Sequence, residues 1–254
     1  MMAIHGGIDN IAENLRPYAG VAGTAHEIVR AYAGVNGVAR LVYSKAILPP
    51  AYQQVEYIEG TGTQYINTGV YLSVNSLAME CDIQLTTNSY AGSTSAYLFG
   101  GYGGSSARFF VLCYASGGSN PKRLSLACGS GYRVESSNAD TNRHVFKIDM
   151  ANTKVYKDGT SVSTTSGSWS KGTNASTWLG VLNGGSSSGA ANACVQAKCY
   201  GAKMWQNDEL IHDYYPCYRK SDDEPGLYDI VTDTFLTNAG TGTFGVGPKY
   251  EQQL

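Results

Sequence analysis

His144-Val-Phe-Lys-Ile-Asp-Met-Ala-Asn-Thr-Lys-Val-Tyr-Lys-Asp-Gly-Thr-Ser-Val-Ser-Thr164 is the stretch whose reading decides the fold class. Val145, Lys147 and Asp149 alternate with Phe146, Ile148 and Met150, the two-residue period of a strand buried on one face. Ala151-Asn152-Thr153 interrupts that period. Val155 and Tyr156 then run into Asp158-Gly159, a dipeptide that accepts positive φ at both central positions of a two-residue hairpin turn. Thr160 to Thr164 is β-branched and polar and reads as the returning strand. Strand, strand, tight turn and strand in succession predict an antiparallel meander.

The composition agrees with that reading. Of 254 residues, 31 are Gly and 19 are Tyr, and only 15% are charged, a mixture suited to many short strands and turns rather than long amphipathic helices. The expected fold is all-β, a two-sheet antiparallel jelly-roll sandwich preceded by a small N-terminal β-hairpin segment. The formal net charge is −2 with no basic cluster, so no nucleic-acid partner is expected. No apolar run reaches membrane-spanning length, so no membrane insertion is expected either. The N-terminal MMAIHGGIDN lacks a cationic region followed by an apolar one, and no secretory signal is expected. The cysteines are Cys81, Cys113, Cys128, Cys194, Cys199 and Cys217, with no C-x-x-C pair. They are expected to be free thiols, because a chain without a secretory signal folds in a reducing compartment.

Residues 1–48 differ from the rest by repetition. Tyr18-Ala-Gly-Val-Ala-Gly-Thr-Ala-His-Glu-Ile-Val29 is echoed by Tyr32-Ala-Gly-Val-Asn-Gly-Val-Ala-Arg-Leu-Val-Tyr43. Val35-Asn36-Gly37-Val38 is a hairpin signal, and Ala22-Gly23 is its weaker counterpart. So short a segment rarely holds a core alone. Its Tyr18, Val21, Ile28, Tyr32, Val35, Val38 and Leu41 are candidates for attachment to a partner or to copies of the chain; a hairpin packed on the main domain is the alternative. A linker at residues 49–51 follows, where Pro49-Pro50 favours an extended connection. Residues 52–254 then supply about a dozen strand-like runs with a C-terminal hairpin. Leu210 to Tyr218 is expected to break at Pro216, and Gly100 to Ser106 to form a glycine-rich loop.

His144-Val-Phe-Lys-Ile-Asp149 with Lys154-Val-Tyr-Lys-Asp-Gly-Thr160, followed by Trp178-Leu-Gly180 and Cys199-Tyr-Gly-Ala-Lys-Met-Trp205, resembles the central strands of concanavalin A-like, laminin-G-type jelly rolls over roughly residues 52–215. A second set is Tyr57-Ile-Glu-Gly-Thr-Gly-Thr-Gln-Tyr-Ile-Asn-Thr-Gly69, Pro216-Cys-Tyr-Arg-Lys-Ser221, Gly226-Leu-Tyr-Asp-Ile-Val231 and Thr237-Asn-Ala-Gly-Thr-Gly-Thr-Phe244. It resembles virion proteins of tailed bacteriophages and gut-bacterial prophages. That resemblance implies a virion surface protein made in the bacterial cytoplasm, partnered by other virion proteins and by copies of itself.

Glu80, Asp82 and Gln84 occupy the i, i+2 and i+4 positions where glucanases of this fold carry three carboxylates, but Gln84 cannot exchange a proton as Glu does. An outward polar strand face is expected instead. No G-x-S-x-G elbow accompanies His144 or His212, and Gly100 to Gly104 lacks the Lys-Ser/Thr of a phosphate loop. Asn138, Asp140 and Asn142 alternate as in some calcium loops but lack the remaining ligands, so a solvated turn is expected and no metal or other cofactor. Aromatic rings beside Asn or Arg are what a sugar needs, since a ring covers its C–H face at low entropy cost. Tyr90, Tyr102, Arg108, Tyr132, Trp169 and Asn183, in or beside Gly/Ser loops, are the candidate ligand-binding residues. The expected function is a non-enzymatic, lectin-like virion protein that binds host or mucosal glycans. The alternatives are a purely structural capsid-decoration or tail protein and, third, a glycan hydrolase.

Overall fold

The computed structural model describes residues 18–21, 24–27, 30–35, 38–44, 48–71, 76–87, 95–102, 108–114, 123–128, 131–138, 140–152, 154–164, 176–179 and 196–250. The chain divides into two compact units, residues 1–47 with 251–254, and Leu48–Tyr250. The first holds two hairpins. In one, β1 (Tyr18–Val21) pairs with β2 (Thr24–Glu27), Val21 opposite Thr24. In the other, β3 (Arg30–Val35) pairs with β4 (Val38–Ser44), Val35 opposite Val38 and Tyr32 opposite Leu41. In sequence, the strands of each pair are two residues apart, with Ala22-Gly23 and Asn36-Gly37 between them.

The second unit is built from β5 (Tyr52–Gln54), β6 (Ile58–Thr61), β7 (Ile66–Tyr71), β8 (Leu77–Leu85), β9 (Ser95–Tyr102), β10 (Arg108–Tyr114), β11 (Arg123–Cys128), β12 (Gly131–Asn138), β13 (Arg143–Asp149), β14 (Lys154–Lys157), β15 (Thr160–Thr164), β16 (Ser176–Leu179), β17 (Gln196–Gln206), β18 (Glu209–Arg219), β19 (Glu224–Asp229), β20 (Thr234–Thr237) and β21 (Gly245–Val246). Six strands form one sheet in the order β12-β11-β10-β9-β16-β7. The larger sheet runs β15-β14-β13-β8-β17-β18-β19-β20, with β5, β6 and β21 attached along it. Every pairing is antiparallel.

The core lies between the two sheets. Along β8, Leu77, Met79, Cys81, Ile83 and Leu85 are buried and the residues between them are not. Met79 stands beside Ile148 of β13 and Met204 of β17, and all three are fully buried. Ile66 and Phe99 close the core from the six-stranded sheet. Burying each such side chain stabilises the fold by roughly 1.5–3 kcal/mol. The meander forms as its sequence requires. Asp158 and Gly159 take φ of 50° and 75°, and Asp158 Oδ1 accepts the Val145 N–H at 2.9 Å.

Two Gly-Thr-Gly-Thr turns far apart in sequence clasp one another. Thr241 N–H donates to Thr63 O at 3.1 Å, Ala239 N–H to Tyr65 O at 2.9 Å, and Asn238 Oδ1 accepts the Tyr65 N–H at 3.1 Å. Buried Gln64 ties the clasp inward, accepting from Thr61 N–H at 2.8 Å and donating to Thr243 O at 3.2 Å. Gly240 is required by close approach, since a Cβ there would stand 2.1 Å from Thr63 O. The third tie is Asp229, fully buried at the β19–β20 hairpin. Its Oδ1 accepts the Asp213 and Val231 N–H groups at 2.9 and 3.1 Å, and its Oδ2 faces His212 Nδ1 and Thr232 Oγ1, each at 2.6 Å.

Three expectations are corrected, and one strand the sequence did not show is added. β18 runs unbroken through Pro216, which sits opposite Leu227. Pro216 O accepts the Val55 N–H at 3.0 Å, so its missing donor lies on the side where the neighbouring strand changes from β17 to β5. β9 continues through Gly100 and Gly101 to Tyr102 because β10 pairs with it along that length, although these glycines were read as loop. Gly131–Asn138 is an edge strand, hidden in the sequence by its polar composition. The prolines do not make an extended spacer: Pro49 O accepts the Tyr52 N–H at 3.0 Å, and Lys220 reaches Pro50 O at 2.8 Å.

Candidate ligand-binding face

The outer face of the larger sheet is self-satisfied. Glu80, Asp82 and Gln84 lie on it, half-exposed, as the alternation predicts. Arg143 grips Asp82 through two bonds of 2.8 and 2.7 Å and stacks 3.7 Å from the Tyr200 ring centroid. Its guanidinium is held above its ordinary pKa by the Asp82 hydrogen bonds. Gln84 accepts from Tyr200 OH at 2.7 Å and donates to Thr141 O at 2.8 Å. Lys147 covers the Trp205 ring at 4.4 Å and Lys198 the Tyr57 ring at 4.2 Å. Two of the three would-be glucanase positions, Asp82 and Gln84, are thus bound into a structural lattice of ion pairs and capped rings.

The histidines are committed in the same way. His144 meets Asp158 through Nδ1 at 2.7 Å and Asp140 through Nε2 at 3.0 Å, an arrangement that satisfies both carboxylates when both ring nitrogens donate. Desolvation pushes the Asp140 carboxyl up, but the Asn142 N–H and His144 outweigh it and hold it below the ordinary range. Asp158 is lowered likewise, desolvation being outweighed by the Val145 N–H and His144. Asp140, expected in a solvated turn, serves a turn and a histidine. A small cavity of about 30 Å³ between the sheets is lined by Ile58, Ile66, Ile83, Leu98 and Phe244, among others. Its polar wall, Gln64, already spends both amide atoms on the clasp.

In the six-stranded sheet the register brings several candidate residues into line. Asn67, Trp178, Gly100, Phe110, Ala127 and Tyr132 follow one another in a single cross-strand row. The adjacent row holds Ile66, Leu179, Phe99 and Val111, of which Ile66 and Phe99 are buried in the core. Successive residues occupy opposite faces of a pleated strand, so the first row lies on the face away from the core, and exposed Asn67 agrees. Tyr102 and Arg108 are direct cross-strand partners two residues from Gly100 and Phe110, and share that face.

Three of the six nominated ligand-binding residues, Tyr102, Arg108 and Tyr132, are therefore brought to one face. They sit in strands rather than loops, because β9, β10 and β12 extend further than the glycines suggested. Tyr90, Trp169 and Asn183 lie outside the described residues, as does Ile28 of the attachment set. Of that set, Tyr18 and Val21 fall on β1, Tyr32 and Val35 on β3, and Val38 and Leu41 on β4. Sequence reasoning missed Asn67, Phe110 and Trp178. Both alternating sets of β10 are largely apolar, so periodicity does not say which faces out. Trp178 enters the sequence reading only as part of the Trp178-Leu-Gly180 jelly-roll motif.

No protein-family model matches this chain, and no curated protein matches it. Among solved structures, the native heptameric SAP-like pentraxin from Limulus polyphemus aligns with it over 80% of this chain and 97% of that one, at 12% identity and a TM-score of 0.43. The fold assignment rests on the strand pairing itself.

Proposed function

We propose that the β-sandwich is a non-enzymatic carbohydrate-binding module whose ligand lies across the outer face of the six-stranded sheet. The observation that carries this reading is the convergence of Tyr102, Arg108 and Tyr132 with Phe110, Trp178 and Asn67 on the sheet face away from the core. Aromatic residues flanked by Asn and Arg on a rigid sheet offer flat apolar area and directed hydrogen bonds together, which is what a sugar presents in complement. The hairpin unit, two two-stranded sheets that would be marginal alone in water, is the attachment module. A place on the surface of a tailed-phage virion, among other virion proteins and copies of this chain, is supported by the resemblance of the clasp and repeat motifs. The test is a glycan array probed with the full chain beside Trp178→Ala. Retention of a defined set of glycans, lost in the variant, is expected. A blank array, or retention unchanged in Trp178→Ala, sinks the reading and favours a purely structural particle protein.

A further inference from the structure

His144 and His212 both meet carboxylates, but not in the same way. His212 has one, Asp229, on Nδ1. His144 has one at each ring nitrogen: Asp158 Oδ2 lies 2.7 Å from Nδ1 and Asp140 Oδ1 lies 3.0 Å from Nε2. The two carboxylates come from different parts of the chain. Asp158 belongs to the turn between β14 and β15. Its Oδ1 accepts the Val145 N–H at 2.9 Å, and its own N–H donates to Val145 O at 2.8 Å. Asp140 lies in residues 140–142, which lead from β12, the edge of the six-stranded sheet, into β13 of the larger sheet. Its Oδ1 also accepts the Asn142 N–H at 2.8 Å. Among the described residues, the charged groups that face His144 are these two aspartates, with Lys157 acting on Asp158 from the end of β14. From β8 it meets the apolar Ile83, and on its own strand the Phe146 ring at 5.9 Å. The Arg143–Asp82 pair, one residue along each strand, stands on the opposite face of the sheet.

We propose that His144 is a pH-operated latch: protonated, it ties residues 140–142 to the β14–β15 turn, and on losing its proton it releases Asp140 and keeps Asp158. An imidazole donates from both nitrogens only as the cation. The neutral ring has one N–H and turns a lone pair toward the other carboxylate. A lone pair facing a carboxylate oxygen at 3.0 Å is repulsive, so one carboxylate must move. Asp158 is the closer of the two, and two bonds to the Val145 backbone fix it in the turn. Asp140 has the Asn142 N–H as its other partner, two residues away in the same short connection. The remaining proton therefore stays on Nδ1, and the contact between Nε2 and Asp140 opens. Imidazole is the side chain whose charge changes between about pH 5 and 8, so the latch is closed in mild acid and open in mild alkali. Asp140 and Asp158, both held below the ordinary carboxylate range despite desolvation, stay ionised on either side of that change. Residues 140–142 are where the chain passes from one sheet to the other, so a side-chain fastening of that crossing depends on pH. Gln84 Nε2, which donates to Thr141 O at 2.8 Å, fastens the same crossing without a titratable group.

The experiment is solution NMR on the full chain, isotope-labelled at the histidine ring nitrogens and the backbone amides. The His144 ring signals are identified by their loss in His144→Gln. At about pH 5 both ring nitrogens should be protonated, and at about pH 8.5 Nδ1 should carry the proton and Nε2 none. Through the same titration, protection of the Asn142 amide against hydrogen exchange, corrected for the intrinsic rate, should fall about three- to tenfold, the size of one hydrogen bond. The Val145 amide, held by Asp158, should keep its protection. In His144→Gln, protection of Asn142 should be low and independent of pH. Asp140→Asn should also remove the pH dependence, because an amide flips to serve either protonation state of the ring. A neutral His144 that carries its proton on Nε2 overturns the proposal, as does Asn142 protection that stays flat while the ring titrates. So does a ring whose charge is the same at both ends of the titration, or a pH dependence that persists in Asp140→Asn. Should His144→Gln lose its β-sheet circular dichroism, the wild-type titration and Asp140→Asn decide.

Discussion

Replacing Asp229 with asparagine tests how the C-terminal hairpin is held to the sandwich. Asp229 is fully buried, and four donors converge on it: two backbone N–H groups on Oδ1, His212 Nδ1 and Thr232 Oγ1 on Oδ2. Asparagine keeps an oxygen for the backbone pair but turns an NH2 toward His212 and Thr232, so two charge-assisted bonds are lost. Hydrogen bonds to a charged group contribute about 1.5–3 kcal/mol each, and part is regained when the Thr232 hydroxyl rotates to accept. The expected loss is about 2–4 kcal/mol at neutral pH, read as a lowered urea midpoint of the sandwich with unchanged slope. The pH dependence carries the sign. Desolvation raises the Asp229 carboxyl, but the bonds from Thr232, His212 and the two N–H groups outweigh it, and its pKa lies below the ordinary value. A depressed carboxylate contributes stability that is fully present above the unfolded pKa of about 3.9 and is lost as pH falls through the lower folded value. The gap between wild type and Asp229→Asn should therefore narrow below about pH 4. Thr232→Val, which removes one bond, should cost about 1 kcal/mol and serves as the internal scale. A variant within about 0.5 kcal/mol of wild type at pH 7, the range of ordinary surface changes, or a gap that stays constant into acid, would refute the reasoning.

Gly240→Ala should open the clasp between the two Gly-Thr-Gly-Thr turns, because its Cβ would stand 2.1 Å from Thr63 O; a loss of about 3 kcal/mol is expected by denaturant titration, and an unchanged midpoint would show the clasp to be dispensable. The thiols should titrate as six in denatured, non-reduced protein, and a count near zero would mean disulfides. In the native state Cys81 and Cys217 should react after the partly exposed Cys199, since burial raises both thiols, Cys217 to about 12; rapid labelling of either would contradict their burial.

Much of the sandwich was legible from local pattern. β8 and β13 declare themselves because one face is buried and the other is wet, so their apolar residues recur every second position. The Asp158-Gly159 turn is legible because few residues accept the backbone it demands. β12 was not legible, since an edge strand needs no apolar face, and Pro216 misled because a proline reads as a break unless the neighbour's identity is known. Tyr102, Arg108 and Tyr132 were nominated by residue type, which carries no position.

By itself the sequence determined the class: antiparallel sheet, a repeated hairpin unit ahead of it, and an outward polar face at Glu80, Asp82 and Gln84. Those follow from two-residue periodicity and turn chemistry, which act over a few residues. Tertiary structure alone decided that Gln64 would bridge to Thr243, that Arg143 would cross to Asp82, and that Asn67, Trp178, Phe110 and Tyr132 would share one row. Register between strands distant in the chain is set by how two sheets fill a common core, and no local pattern encodes it.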